Sequence, residues 1–251
     1  MSRSINRDDF QHIDRAIGAM AKDFPDRSHT GEHSHPRGQL LHAVEGVMLA
    51  RTSTGAWLVP PGFALWIPPG RPHNVEMRGK VSMRTIYLRQ DEARRMAPRC
   101  RVIRVAPLLR EAILALVEEP LLYDEAGRGG HLAALVIDEI DRAPTEMLEL
   151  PLPSDAKLLR VCEALIADPG SARDLDGWAE FASLSRRSLS RGFRDETGLS
   201  LGAWRRKLRT LNALGRLEGG ASVAETAHRL GYRSASALTA MIRRERPAPQ
   251  T

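Results

Sequence analysis

The apolar periodicity of this 251-residue chain changes once, at a proline-bearing stretch from Pro144 to Pro153. Before it, residues 28–105 read as short strands at 39–44, 46–51, 56–59, 64–67, 74–77, 82–88 and 101–105. Turn signals such as Pro60-Pro61-Gly62 and Pro68-Pro69-Gly70 separate them, the pattern of an antiparallel sandwich or small barrel. Two segments with helical spacing follow, at 107–119 and 130–142. Beyond the stretch there is helix pattern and no strand. Pro151 and Pro153 cannot sit inside a helix and favour extended backbone, so the boundary is placed in a linker at 144–155. The expectation is an α+β chain of two domains, 1–143 and 156–251.

Charge divides at the same place. Residues 1–154 hold 20 Lys plus Arg against 20 Asp plus Glu, whereas residues 155–251 hold 17 against 11, so the whole net charge of +6 belongs to the helical part. A cationic domain joined to a neutral one suggests a polyanion-binding module attached to something with another task. No apolar run approaches the roughly 18 residues of a membrane span. Acids stand at Asp8 and Asp9, where a signal peptide carries its apolar core, so the expected location is the cytoplasm. Two cysteines, Cys100 and Cys162, make neither a disulfide framework nor a Cys-based zinc site. The chain also lacks a Gly-x-Ser-x-Gly elbow, a phosphate loop and a dinucleotide fingerprint, which argues against hydrolase and nucleotide chemistry.

The helical part contains a repeat. A short helix at 174–182 breaks at Ser183-Leu184, Ser185 offers an N-cap, and a second helix at 186–196 carries Leu189 and Phe193 on one face. Arg186, Arg187, Ser190, Arg191 and Arg194 occupy the other faces. Two short helices joined by a tight turn, the second rich in arginine, have the layout of a helix-turn-helix. The unit recurs at 222–230 and 234–245, with Ala227 following Ala179, and Tyr232 following Leu184, by 48 residues; Leu238 and Ile242 mirror Leu189 and Phe193 with one extra residue. Between them a helix at 201–217 would span roughly 25 Å at about 1.5 Å per residue. Two recognition helices on such a strut would enter successive major grooves, about 34 Å apart.

Residues from about 158 to 245 resemble the DNA-binding domain of AraC/XylS-type bacterial transcription regulators. The motifs are Ala179 with Leu184-Ser185, Leu189 to Phe193, Glu196 to Ser200, Trp204-Arg205-Arg206, and Val223, Ala227 and Gly231 to Ser234. The resemblance implies binding of double-stranded operator DNA through Arg186, Arg187, Ser190, Arg191 and Arg194 in the first unit. In the second it implies Ser234, Ser236, Thr239 and Arg243, with Ala235 and Ala240 at neighbouring places. Arg191 is the expected guanine reader, and Ala240 stands where many relatives carry a longer polar or basic side chain. Arg205, Arg206, Arg209, Arg243 and Arg244 are read either as phosphate-positioning residues or as solvated helix faces. Two departures stand out. Ser183 takes the first turn's usual glycine position, and only Arg246 to Thr251 stand where relatives carry a closing helix, so the second unit is expected to pack less well.

In the strand-rich part, His33 and His35 are two apart, which places both imidazoles on one face of an extended segment; Gln39 has the same parity, and barrel closure would bring His73 beside them. Three imidazoles and an amide oxygen suit Zn, Ni, Cu or Fe(II). The spacing of His33, His35, Gln39, Gly46, Gly62, Pro68, Gly70 and His73 resembles the two cupin motifs over about residues 28–90. Gln39 stands where that family has a glutamate, and Met77 where it usually has an asparagine, which lowers the expected metal affinity. The same residues serve equally as the lining of a metal-free effector pocket, or as structural histidines. Trp57, Phe63, Trp66 and Met48 are read as either cavity lining or core.

Together these readings predict an N-terminal cupin-like β-barrel with trailing helices and a C-terminal all-α double helix-turn-helix. The implied protein is a transcriptional regulator, not an enzyme, that responds to a small molecule or metal. Its expected partners are operator DNA, the effector, a second copy in a homodimer and, if it activates, RNA polymerase, with no membrane. The rival is a metal-dependent cupin enzyme carrying a DNA-binding appendage.

Overall fold

The computed structural model describes residues 5–52, 55–146, 149–218 and 220–245. The chain divides into two compact units, residues 1–147 and 148–251. Arg246 to Thr251, on which the expectation of a poorly packed second repeat rests, lie outside the described residues.

The first unit opens with a 3-10 turn, Arg7–Phe10, followed by strands β1 (Ile17–Phe24), β2 (Gly38–Thr52), β3 (Gly55–Val59), β4 (Phe63–Ile67) and β5 (His73–Leu88). A short helix α1 (Gln90–Ala93), strand β6 (Arg101–Arg104), helices α2 (Pro107–Val117) and α3 (Arg128–Arg142) and strand β7 (Thr145–Glu146) complete it. The antiparallel order is β1-β5-β2-β4-β6-β7, with β3 also on β2. Among the described residues this path is open, with β1 and β7 at its ends, so the expected barrel is corrected to an unclosed sheet. Two long strands, β2 and β5, stand where the sequence suggests four short ones. At Gly46 (φ 79°) and Gly79 (φ 78°) the backbone takes left-handed conformations that a Cβ disfavours, yet β2 and β5 run on past them instead of ending in turns. A Cβ on Gly46 would lie 2.3 Å from the Lys80 carbonyl oxygen, so the crossing of the two strands depends on its absence.

Alternation sorts the side chains of this sheet into two faces. Leu40, Trp66, Ile86 and Ile103 pack against Leu109, Ile113 and Leu116 of α2 and Val136, Ile137 and Ile140 of α3. Gln39, Leu41, Met83 and Tyr87 point the other way and line a cavity. Both faces of β2 are therefore covered over residues 38–43, where all six residues are buried even though Gln39 and His42 are polar. Trp66 requires Gly38 beneath it, since a Cβ there would fall 2.2 Å from the indole ring.

Apart from a two-residue strand, Glu149–Leu150, the second unit is helical: α4 (Ala156–Ala167), α5 (Leu175–Phe181), α6 (Arg186–Thr197), α7 (Leu201–Glu218), α8 (Val223–Arg229) and α9 (Ala235–Glu245). Each start has a side-chain cap of the kind that satisfies free helical N–H groups. Asp155, Asp174, Ser185 and Ser222 accept hydrogen bonds from backbone amides of α4, α5, α6 and α8. The proline-bearing stretch is held at both ends. Thr145 and Glu146 pair with β6, while the Pro151 carbonyl accepts a 2.8 Å hydrogen bond from Trp204 Nε1.

Candidate functional site

The two repeats share a hydrogen-bond skeleton. In the first, Leu184 N donates to Ala179 O at 2.9 Å and Ala182 N to Trp178 O at 3.1 Å; 48 residues on, Tyr232 N donates to Ala227 O at 2.9 Å and Leu230 N to Thr226 O at 3.1 Å. Ala179 and Ala182 are buried at the helix contact. Ser183 takes φ 53° where Gly231 takes φ 73°, so the left-handed turn expected at Ser183 is present and carries a Cβ.

On α6, Leu189 and Phe193 are fully buried, and Phe193 meets Trp204 of α7 edge-on at a centroid distance of 6.0 Å. Arg187, Ser190, Arg191 and Arg194 lie at i, i+3, i+4 and i+7, hence on one face of the helix. All but Ser190 are cationic, and all four are exposed. Arg186 stands apart, reaching Asp176 of α5 at 3.2 Å across an open surface. On α9 the equivalent row is Ser236, Thr239, Ala240 and Arg243, with a single cation. Ser234 caps α9, its hydroxyl accepting from Ala237 N at 3.2 Å, and the Thr239 hydroxyl donates to Ala235 O at 3.0 Å. Leu238 and Met241 fill the core there, while Ile242, expected to mirror Phe193, is only half-buried.

Three arginines of α7 are engaged inside the unit. Arg205 donates to Arg173 O and Ser171 O, Arg209 to Pro169 O and Ser171 O, and Arg206 pairs with Glu245 at 2.9 Å. Their guanidiniums pin the 169–173 loop and the end of α9 rather than standing as a solvated row.

In the first unit, His33 and His73 exchange backbone hydrogen bonds of 2.9 and 3.0 Å, and Gly70 N donates to His35 O. This pairing lays the 33–35 segment beside the start of β5. The ligand-type atoms of His33, His35 and His73 lie within 4.8 Å of one another. His35, His73 and Gln39 are buried and His33 half-buried. Each ring's Nδ1 faces a backbone carbonyl: Gly31 O at 3.0 Å, Arg37 O at 2.7 Å and Arg71 O at 2.9 Å. A carbonyl only accepts, so each Nδ1 carries the proton and each Nε2 presents a lone pair.

The amide between them is also fixed. Thr85 Oγ1 donates to Leu40 O at 3.0 Å and so accepts from Gln39 Nε2 at 2.9 Å, which turns Gln39 Oε1 toward the histidines. Oε1 then lies 3.2 Å from His35 Nε2 and 3.0 Å from His73 Nε2, acceptor facing acceptor. A proton on one Nε2 would relieve this, but burial holds all three imidazoles below their usual pKa, His73 down to about 4. Preorganised imidazole lone pairs and an amide oxygen, each braced by a second hydrogen bond, fit a divalent cation. The set contains no carboxylate.

A cavity of about 310 Å³ adjoins this cluster at His33 and Gln39. Its walls include Met20, Lys22, Leu41, Met83 and Tyr87, with Arg7 and Asp8 from the 3-10 turn. Trp57, Phe63, Trp66 and Met48 do not line it; they are core, and Trp66 Nε1 donates to Ala97 O on the helix side. Sequence reasoning missed Met20 and Lys22 because β1 carries no clean alternation, and Tyr87 because its immediate neighbours Ile86 and Leu88 are equally apolar, so alternation does not show which face it takes.

Comparison with known proteins agrees with both halves. Residues 17–136 match the model of the AraC-like ligand binding domain, and residues 178–246 a helix-turn-helix domain model. The HTH-type transcriptional regulator NimR of Escherichia coli K12 is 30% identical over 234 residues, 93% of this chain and 85% of that protein. The regulator RipA of Corynebacterium glutamicum is 34% identical over 104 residues, 41% of this chain and 30% of RipA. Solved structures with some likeness include ToxT from Vibrio cholerae, 8% identical with a TM-score of 0.36 over 94% of this chain and 97% of that one. Another is the DNA-binding domain of AdpA in complex with a target DNA, 34% identical with a TM-score of 0.33 over 34% of this chain and 78% of that one. No helix among the described residues is long and apolar enough to cross a membrane. With a ligand-binding unit joined to a duplicated helix-turn-helix, the chain belongs to the AraC family of transcriptional regulators.

Proposed function

We propose that this regulator reads operator DNA chiefly through α6, with Arg191 making a bidentate contact to guanine and Arg187, Ser190 and Arg194 setting register around it. The observation that carries this reading is the exposed row of three arginines and a serine on α6, opposite a fully buried Leu189 and Phe193. Arginine presents a planar fork matched to guanine O6 and N7, worth about 1–3 kcal/mol of discrimination. On α9, Ser236 and Arg243 add polar and phosphate contacts, Thr239 offers little beyond its methyl group, and Ser234 acts as the cap. Arg186, tied to Asp176, contributes less than its neighbours.

The first unit then acts as the sensor. His33, His35, His73 and Gln39 would hold a Zn, Ni, Cu or Fe(II) ion, which would supply a Lewis-acidic centre at the edge of the cavity. Binding changes regulation only if the effector prefers one state of the protein over another. Because every donor in the cluster is neutral, the arrangement favours a sensing site over the carboxylate-bearing iron site of an oxygenase, and the chain is read as a non-enzymatic regulator. On this reading the regulator works in the cytoplasm as a homodimer and contacts RNA polymerase if it activates.

The test is a salt-titrated binding assay with the chain's own upstream region against random DNA, on protein analysed for metal. The reading expects upstream-specific binding that Arg191→Ala weakens far more than non-specific binding, and metal content that falls when His33 and His73 are replaced. Equal loss on all DNA would make Arg191 a phosphate contact.

A further inference from the structure

The chemistry of the cavity narrows what the sensor recognises. At about 310 Å³ it lies at the small end of the roughly 300–1,000 Å³ typical of ligand sites. The strand register arranges its walls. Gln39 opposes Tyr87, Leu41 and Met20 both oppose Thr85, and Lys22 opposes Met83. The histidine end and the Lys22 end are thus four residues apart along β5, about 13 Å at roughly 3.3 Å per residue. Met20 and Leu41 line the stretch between the two ends, and Met83 lines the Lys22 end.

The charges do not balance. Arg7 Nε lies 3.7 Å from Asp8 Oδ1, so those two wall residues offset each other. The Lys22 ammonium stands over the Phe24 ring, 5.2 Å from its centroid, and has no carboxylate partner among the described residues. At the other end, the three imidazoles and the amide carry no negative charge. A neutral apolar guest would cover the ammonium and give it no counter-ion, an arrangement that costs free energy.

We infer that the cavity takes a small organic anion, a monocarboxylate with a short apolar body, whose carboxylate pairs with Lys22 while its body lies against Met20, Leu41 and Met83. The inference rests on the sensor reading above and specifies the class of its effector. The Phe24 ring holds the ammonium in place, and a divalent ion held at the histidine end would add to the positive charge of the cavity, so the guest is an anion with or without it.

Isothermal titration of the full chain at constant ionic strength tests it, with butyrate, hexanoate and benzoate as probes against butanamide, hexanamide and benzamide. At least one acid should bind, and its amide at least tenfold more weakly. Lys22→Met should cost that acid at least tenfold and Lys22→Arg much less, with thermal melting unchanged in both variants. Amides that bind as well as acids, an acid affinity indifferent to Lys22→Met, or no acid bound at millimolar concentration would each overturn the inference. Operator affinity measured with and without the bound compound separates the two readings. An acid that binds through Lys22 and leaves operator affinity unchanged contradicts the sensor, while an amide that binds equally and shifts operator affinity removes the anion preference and leaves the sensor standing.

Discussion

The units α5–α6 and α8–α9 keep one backbone and diverge in what they hang on it. Their turn hydrogen bonds recur at a spacing of 48 residues with nearly equal lengths, and both second helices start from a serine cap, Ser185 and Ser234. The cores differ. The first is aromatic, with Trp178, Phe193 and Trp204 all buried and Arg173 stacked 4.7 Å from the Trp178 centroid. The second buries no ring fully: its buried residues are Ala213, Ala227, Leu230, Leu238 and Met241, with Tyr232 and Ile242 partly buried against them. The outward rows differ as well, three cations against one. Backbone geometry is set by small residues at the helix contact and by the caps, so core size and DNA-facing chemistry are free to vary between copies.

If the aromatic core anchors the first repeat, Trp204→Ala should cost about 3–5 kcal/mol, since it removes a fully buried ring, its contact with Phe193 and its hydrogen bond to Pro151 O. Met241→Ala should fall near 2 kcal/mol, the low end for a buried aliphatic chain. Denaturant melts of the two variants decide the matter, and equal losses would erase the distinction between the cores. The next largest difference concerns recognition. Arg191→Ala should lose about 1–3 kcal/mol of operator discrimination, whereas the isosteric Thr239→Val should change affinity by less than about 0.5 kcal/mol, because that hydroxyl is already bonded to Ala235 O. A large effect of Thr239→Val in a direct binding titration would show that α9 reads bases after all.

The turns give a third, smaller contrast. Gly231→Ser should destabilise by about 1–2 kcal/mol, for its Cβ would sit in a left-handed residue 2.6 Å from Gly170 O. Ser183→Gly should stabilise by up to about 1 kcal/mol, and a loss there would mean that the Ser183 side chain does something its geometry does not reveal. Smallest in free energy is Ala240→Arg, which restores a second cation to the α9 row. It should steepen the dependence of log affinity on log salt by about 0.9, on specific and random DNA alike.

Much of this was legible in the sequence, and the exceptions share a physical cause. Helical periodicity, the 48-residue repeat and the serine caps are local, so α5, α6, α8 and α9 could be placed within a residue or two. The histidines were legible because extended spacing fixes which side chains share a face. The orientation of Gln39 was not, since it depends on Thr85 and Tyr87, 46 and 48 residues away. Nor were the roles of Arg205 and Arg209, whose partners are carbonyls of a loop that leave no mark on side-chain pattern. Gly46 and Gly79 carry the left-handed backbone that glycine signals, but inside continuous strands instead of at their ends. Strand β1, Ile17 to Phe24, is rich in small residues, so the cavity wall holding Met20 and Lys22 had no alternation to betray it.

The central claim is that base reading is concentrated in the first repeat, and a base-by-base substitution scan of an operator bound by the full chain tests it most directly. The account predicts losses of about 1–3 kcal/mol per substitution clustered in one half-site, with the neighbouring half-site tolerant of sequence and sensitive mainly to salt. Equal losses across both half-sites would contradict it.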